Sequence, residues 1–175
     1  MLRPYLFFLS LSLAFRMLAQ SPFQEALDSL NLGSIAYIQP KELVNTNDLV
    51  ILDAREKVEF EVSHLKNAIW VGYSDFNLDR VNPSLLKDNK TIVVYCSVGA
   101  RSEDIGEKLV SAGHTNTKNL FGGIFLWKNL GYPVFDQQDK ETEKVHAFSK
   151  EWGLLLTNGD KVYTTKNDSI ERRTN

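Results

Sequence analysis

Thr91-Ile92-Val93-Val94-Tyr95-Cys96-Ser97-Val98-Gly99-Ala100-Arg101-Ser102 is the stretch that decides how this chain folds. Its first five residues are β-branched or aromatic, the composition of a strand. Beyond it, Ile105, Leu109 and Ala112 recur at helical spacing from Glu103 to Ala112, and Gly113 follows as a C-cap. Ser102 stands where an N-cap is expected, and Glu103 and Asp104 fall in the first turn, where the helix dipole favours carboxylates. Cys96 therefore sits where a strand gives way to a helix.

That position suits a nucleophile, because the thiolate rather than the thiol attacks. The N–H groups and dipole of a helix start favour negative charge on the sulfur. Gly99 permits positive φ, which lets successive loop N–H groups converge on one point. Arg101 adds a permanent cation able to hold an oxyanion in two places. A packed core cysteine would account for Cys96 alone. It leaves Gly99, Arg101 and Ser102 at this spacing unexplained.

Working outward, strand and helix patterns alternate. Short strands are expected at Ile35–Ile38, at Leu49–Leu52, at Ala68–Val71 and at Asn119–Phe121. The run Leu49-Val50-Ile51-Leu52 is continuously apolar, which suggests burial on both faces. Helical patterns fall at Phe23–Leu30, after Pro40, at Glu56–Val62, at Pro83–Asp88 and at Ile124–Leu130. This alternation predicts an α/β domain with a mainly parallel sheet. Beyond Asp136 the character changes: 137–143 reads as linker, Val145–Trp152 as a helix, Thr157–Asp160 as a turn and 166–175 as a disordered tail.

The chain has 175 residues, 43% hydrophobic and 24% charged, enough for one domain with short extensions. Its net charge of -2 gives no electrostatic reason to expect a nucleic-acid partner. Residues 1–20 read as a signal peptide: Arg3 is the positive n-region, and Tyr5 to Phe15 form an apolar run too short to span a bilayer. Ala19 offers a small residue for cleavage. The mature protein is thus expected outside the cytosol, periplasmic or secreted, with no stable membrane span. Secreted domains use cysteines in pairs, so the single cysteine of this chain marks a reactive or intermolecularly bonded thiol.

From about residue 33 to 137 the chain resembles a single rhodanese domain, with 138–165 as a C-terminal extension. Asp53-Ala54-Arg55-Glu56, then Glu59-Phe60 and His64-Leu65-Lys66-Asn67-Ala68, resemble the first family signature. Cys96 to Ser102 resemble the active-site loop C-x-x-G-x-R-S, and Gly122-Gly123-Ile124 with Trp127 resemble the closing glycine motif. Ser63 and Asn67 depart from the usual pattern at the turn before the third strand, away from the cysteine loop.

The resemblance implies a three-layer fold with a central five-stranded, mainly parallel sheet flanked by helices. It implies a sulfurtransferase that moves a sulfane sulfur from thiosulfate or a related persulfide donor to cyanide or a thiol. Cys96 would be the catalytic residue. Ser97, Val98, Gly99, Ala100, Arg101 and Ser102 would bind substrate, and Arg55 would either join them or anchor a carboxylate. His64 would shape a turn. No metal or organic cofactor is implied; the expected partners are a small anionic sulfur donor, a thiophilic acceptor and, in addition, a protein thiol. Four residues separate Cys96 from Arg101. Phosphatases and arsenate reductases of related fold carry one more, to hold a tetrahedral oxyanion, so the shorter loop favours sulfur. The competing class is a persulfide carrier or protein-binding module without catalytic activity.

Overall fold

The computed structural model describes residues 21–87 and 90–164. The central strand is the one that leads directly into the cysteine. Strands β1 (Tyr37–Ile38), β2 (Leu49–Asp53), β3 (Ile69–Trp70), β4 (Thr91–Tyr95) and β5 (Thr117–Leu120) form one sheet in the order β1-β5-β4-β2-β3. Every pairing in it is parallel, with Leu52 beside Val94 and Val94 beside Asn119. Helices α1 (Pro22–Leu30), α2 (Pro40–Val44), α3 (Lys57–Val62), α4 (Arg101–Ser111) and α5 (Gly123–Asn129) flank it.

Side chains alternate across a strand, and β4 shows why its sequence is apolar without a break. Val93 and Tyr95 enter one core with Leu27, Ile38, Leu120 and Phe125. Ile92 and Val94 enter the other with Leu52, Ile105 and Leu109. Each such burial contributes about 1.5–3 kcal/mol. On β2 the expectation of burial on both faces holds fully for one face only, that of Val50 and Leu52. Leu49 and Ile51 are half-buried because they border a groove of about 440 Å³ with Leu65 and Trp127.

Helix α1 is set by its ends. The Ser21 side chain accepts from the Gln24 N–H, Pro22 opens the first turn, and Phe23 and Leu27, four residues apart, are buried. Four residues also separate Ile105 from Leu109, both fully buried on α4. Helix α4 begins at Arg101, one residue before the expected cap. The Ser102 side chain is therefore not a cap but a buried group within the first turn.

The C-terminal region differs most from expectation. The supposed linker carries a small hairpin of β6 (Val134–Phe135) and β7 (Glu141–Thr142). Its turn is closed by Asp136, whose Oδ1 accepts from the N–H groups of Gln138 and Lys140. The expected helix over Val145–Trp152 is instead β8 (Lys144–His146), a loop and a 3-10 turn over Trp152–Leu155. Val145 and Ala147 are fully buried two residues apart, the period of a strand. Phe148 has φ 62°, which no right-handed helix accepts. β8 pairs in parallel with β9 (Asp160–Val162). The segments read as a signal peptide and as a disordered tail, 1–20 and 166–175, lie outside the described residues. No helix among the described residues is long and apolar enough to cross a membrane.

Candidate active site

Cys96 follows β4 directly, and its side chain lies in the loop that leads into α4. The residue is 1% exposed. The Gly99 N–H donates to Cys96 Sγ across 3.1 Å. Gly99 has φ 117°, a value that favours glycine, and a Cβ there would lie 3.1 Å from Leu27 Cδ2 on α1. Two features thus aim the N–H at sulfur: an absent side chain and a helix packed behind the loop.

The loop is held from three sides. From α5, the Ile124 N–H donates to the Cys96 carbonyl (3.0 Å) and the Phe125 N–H to the Ser97 carbonyl (3.1 Å). This approach is so close that a Cβ on Gly123 would lie 2.4 Å from the Cys96 oxygen. That contact explains the second glycine of the sequence motif; a Cβ on the first, Gly122, would lie 2.4 Å from Leu126 Cβ. From β5, fully buried Asn119 donates through Nδ2 to the Gly99 carbonyl (2.7 Å), while its Oδ1 accepts from Ser102 Oγ (2.8 Å). From the end of α1, Asn31 Nδ2 also donates to the Gly99 carbonyl (3.0 Å).

Arg101 does not present its fork to solvent. Nη1 donates to Glu59 Oε2 (2.7 Å), and Nη2 donates to Glu59 Oε1 (2.9 Å) and to Ser97 Oγ (3.0 Å). Ser97 Oγ in turn donates to Glu59 Oε1 (3.1 Å). Glu59 also accepts from the Glu56 N–H at the start of α3, so one carboxylate both caps a helix and fixes the loop arginine. Burial alone would raise the Glu59 carboxyl, but hydrogen bonds and charge from Arg101, with the charge of Arg55, hold it below its ordinary value. For Arg101 burial opposes the cation, and Glu59 and the Cys96 sulfur push it back up, above the usual range.

Arg55 is placed elsewhere than a substrate-binding role requires. It is fully buried, with Nη2 donating to Asp53 Oδ2 and to the Ser63 carbonyl, each at 2.6 Å. Tyr95 also donates its hydroxyl to Asp53 Oδ2. Arg55 is thus the anchor of a buried polar network beneath the sheet's end. Ser102 is likewise fully buried and bonded to Asn119, so its side chain takes no part in the cradle. Ser97, Val98, Ala100 and Arg101 do border the opening above Cys96, a cavity of about 160 Å³. His64 shapes its turn: its backbone pairs with Phe135, and its Nδ1 lies 3.1 Å from the Phe60 carbonyl. Glu103 lies in the first turn of α4 as expected, but it is buried there and accepts from the Ser34 N–H and hydroxyl. Among the described residues no group of three or more His, Cys, Asp or Glu side chains could hold a metal ion.

Residues 39–130 match the Rhodanese-like domain family. The chain belongs to that family. Among its relatives, the tRNA uridine(34) hydroxylase of Aster yellows witches'-broom phytoplasma is 35% identical over 121 residues, 59% of this chain and 39% of that protein. An uncharacterised protein of Synechocystis sp. is 41% identical over 102 residues, 55% of this chain and 54% of the relative. The rhodanese-like chain thus spans only about half, or less, of the length of these curated relatives. In structure it is similar to the rhodanese-like domain of an Anabaena sp. protein, with TM-score 0.51, 25% identity, and coverage of 57% of this chain and 78% of that one. The five-stranded parallel sheet and its helices are the fold of this family.

Sequence reasoning missed Asn31, Asn119 and the second face of Glu59. Asn119 left a trace, since a polar residue inside an apolar strand must find partners when buried.

Proposed function

We propose that this rhodanese-like chain is a sulfurtransferase that carries a sulfane sulfur on Cys96. The thiolate attacks the outer sulfur of thiosulfate or of a related persulfide donor. The donor's S–S bond breaks, sulfite or the donor thiolate leaves with the electron pair, and Cys96 becomes a persulfide. Cyanide or a thiol then removes the outer sulfur and restores the thiolate.

The observation that carries this reading is the Gly99 N–H at 3.1 Å from Sγ, in a loop with four residues between Cys96 and Arg101. N–H groups of the loop from Ser97 to Ser102 are the donors that would stabilise the sulfur anion. Arg101 borders the opening where an anionic donor enters, and Glu59 keeps it there. The tRNA hydroxylation named for the phytoplasma relative belongs to a protein of which this chain covers 39%, and the proposal keeps to the chemistry of the cradle. The apolar run from Tyr5 to Phe15 supports work outside the cytosol.

Intact mass of the purified protein before and after thiosulfate tests the proposal. The expected result is a gain of one sulfur, reversed by cyanide and absent in Cys96→Ser. No gain in the wild-type chain with either thiosulfate or inorganic polysulfide overturns it.

A further inference from the structure

The opening above Cys96 is walled by side chains that the persulfide chemistry does not require. Leu30 comes from the last residue of α1, Val98 from the loop, and Phe148 and Trp152 from the C-terminal extension. Leu30, Phe148 and Trp152 all lie outside the residues that match the family. Leu30 is 50% exposed and Phe148 48%, so two large apolar side chains stand in water beside a nucleophile.

Phe148 is held there at a cost. Its φ of 62° is a genuine outlier for a bulky residue and costs about 1–2 kcal/mol. Its N–H is close to His146 Nδ1 (3.2 Å), and its ring lies 4.8 Å from the Arg101 guanidinium carbon. The ring thus lies over the Arg101 guanidinium, while Glu59 takes two of its N–H groups. Charge at the opening is balanced within the protein, and what remains exposed to a ligand is mainly hydrocarbon. The cavity's volume of about 160 Å³ is roughly that of an apolar cavity that accepts a benzene ring, and is several times the space one water occupies.

We propose that the acceptor which discharges the Cys96 persulfide is a thiol borne on a compact apolar group, aryl or branched alkyl. The inference rests on the sulfur-transfer reading above and specifies its second half. The acceptor thiolate attacks the outer sulfur of Cys96–S–SH. A new S–S bond forms in R–S–SH as the old one breaks, and its electron pair returns to Cys96 Sγ as the thiolate. No net oxidation occurs, and the persulfide proton stays on the transferred sulfur. Leu30, Phe148 and Trp152 bind R, excluding water from the reacting sulfurs.

The test loads the full chain with thiosulfate or inorganic polysulfide and confirms the added sulfur by intact mass. The persulfide is then discharged by benzyl mercaptan or by 2-mercaptoethanol at equal thiolate concentration. The expected second-order rate is at least about tenfold faster for the benzyl thiol, the effect of about 1.4 kcal/mol of apolar contact. Phe148→Asn keeps a residue that tolerates the left-handed backbone and removes the ring; Leu30→Gln changes a half-exposed helix end. Each is expected to reduce the preference severalfold. Equal rates for the two thiols on the loaded wild type, or a preference unchanged in both variants, overturn the inference. Failure to load sulfur at all overturns the preceding proposal instead.

Discussion

Arg101 and Glu59 meet in a two-pronged ion pair, Nη1 to Oε2 at 2.7 Å and Nη2 to Oε1 at 2.9 Å, that ties the cysteine loop to helix α3. Their side chains are 15% and 2% exposed, so both charges are largely withdrawn from water. Removing one partner of a buried pair costs about 3–5 kcal/mol, because the other is left uncompensated. Glu59→Ala and Arg101→Ala are each expected to destabilise by about 3 kcal/mol. The double variant should cost less than the sum by about 1–3 kcal/mol, as coupled partners do. Urea unfolding of the four proteins measures this; additive losses would mean that the pair is not coupled.

The same pair sets an acid limit. The Glu59 carboxyl is held below its ordinary value in the folded chain, so the folded state binds that proton less tightly than the unfolded chain. Its contribution is fully present above the ordinary carboxylate value of about 4.3 and is lost as pH falls through the folded value. Stability should therefore be flat in this respect from pH 7 to about pH 5 and fall below that. Glu59→Gln should be less stable at neutral pH and lose less on acidification. Urea midpoints across this pH range decide it, and parallel curves for the two proteins would remove Glu59 from the acid limb.

Gly123 and Gly113 offer a matched comparison. Both have positive φ, 54° and 97°. A Cβ on Gly123 would meet the Cys96 and Ser97 carbonyl oxygens at 2.4 and 2.6 Å, whereas one on Gly113 meets nothing within 4 Å. Gly113→Ala should cost about 1–2 kcal/mol from backbone strain alone and leave sulfur loading intact. Gly123→Ala adds overpacking worth about 1–3 kcal/mol and moves the carbonyl of the reacting residue. Its loading rate should fall at least tenfold. Equal behaviour of the two variants in melting and loading would contradict the packing account.

Arg55 should behave as an anchor. Asp53→Ala leaves the fully buried Arg55 guanidinium without its carboxylate, and the expected loss is about 3–5 kcal/mol. Arg55→Met should also destabilise while leaving the donor KM essentially unchanged at a temperature where the variant is folded. Thiosulfate–cyanide kinetics check this, and a raised KM with normal stability would return Arg55 to the substrate.

Much of this architecture is legible in the sequence, for identifiable reasons. Strand β4 announces itself through five consecutive strand-forming residues, and the cradle through a cysteine, a glycine and an arginine set close along the chain. Such signals are local. Glu59 and Arg101 are partners across 42 positions of sequence, and Ser34 and Glu103 across 69, which no spacing reveals. Val145, Phe148 and Trp152 recur at intervals of three and four and so imitate a helix. The alternation of Val145 and Ala147 into the core overrides that pattern, and the turned backbone at Phe148 ends it. The wall of the site was hidden because its residues are ordinary apolar ones, placed by tertiary structure alone.

The wall built by Phe148 and Trp152 also has a consequence in time. Those residues are made more than fifty positions after Cys96. At about 5–20 residues per second, a growing chain carries its nucleophile for roughly 3–11 s before the covering rings exist. For that interval the thiol lacks the apolar wall that borders it in the folded chain. On the acceptor preference proposed above, synthesis of Phe148 and Trp152 is the event that makes the sulfur nucleophile selective.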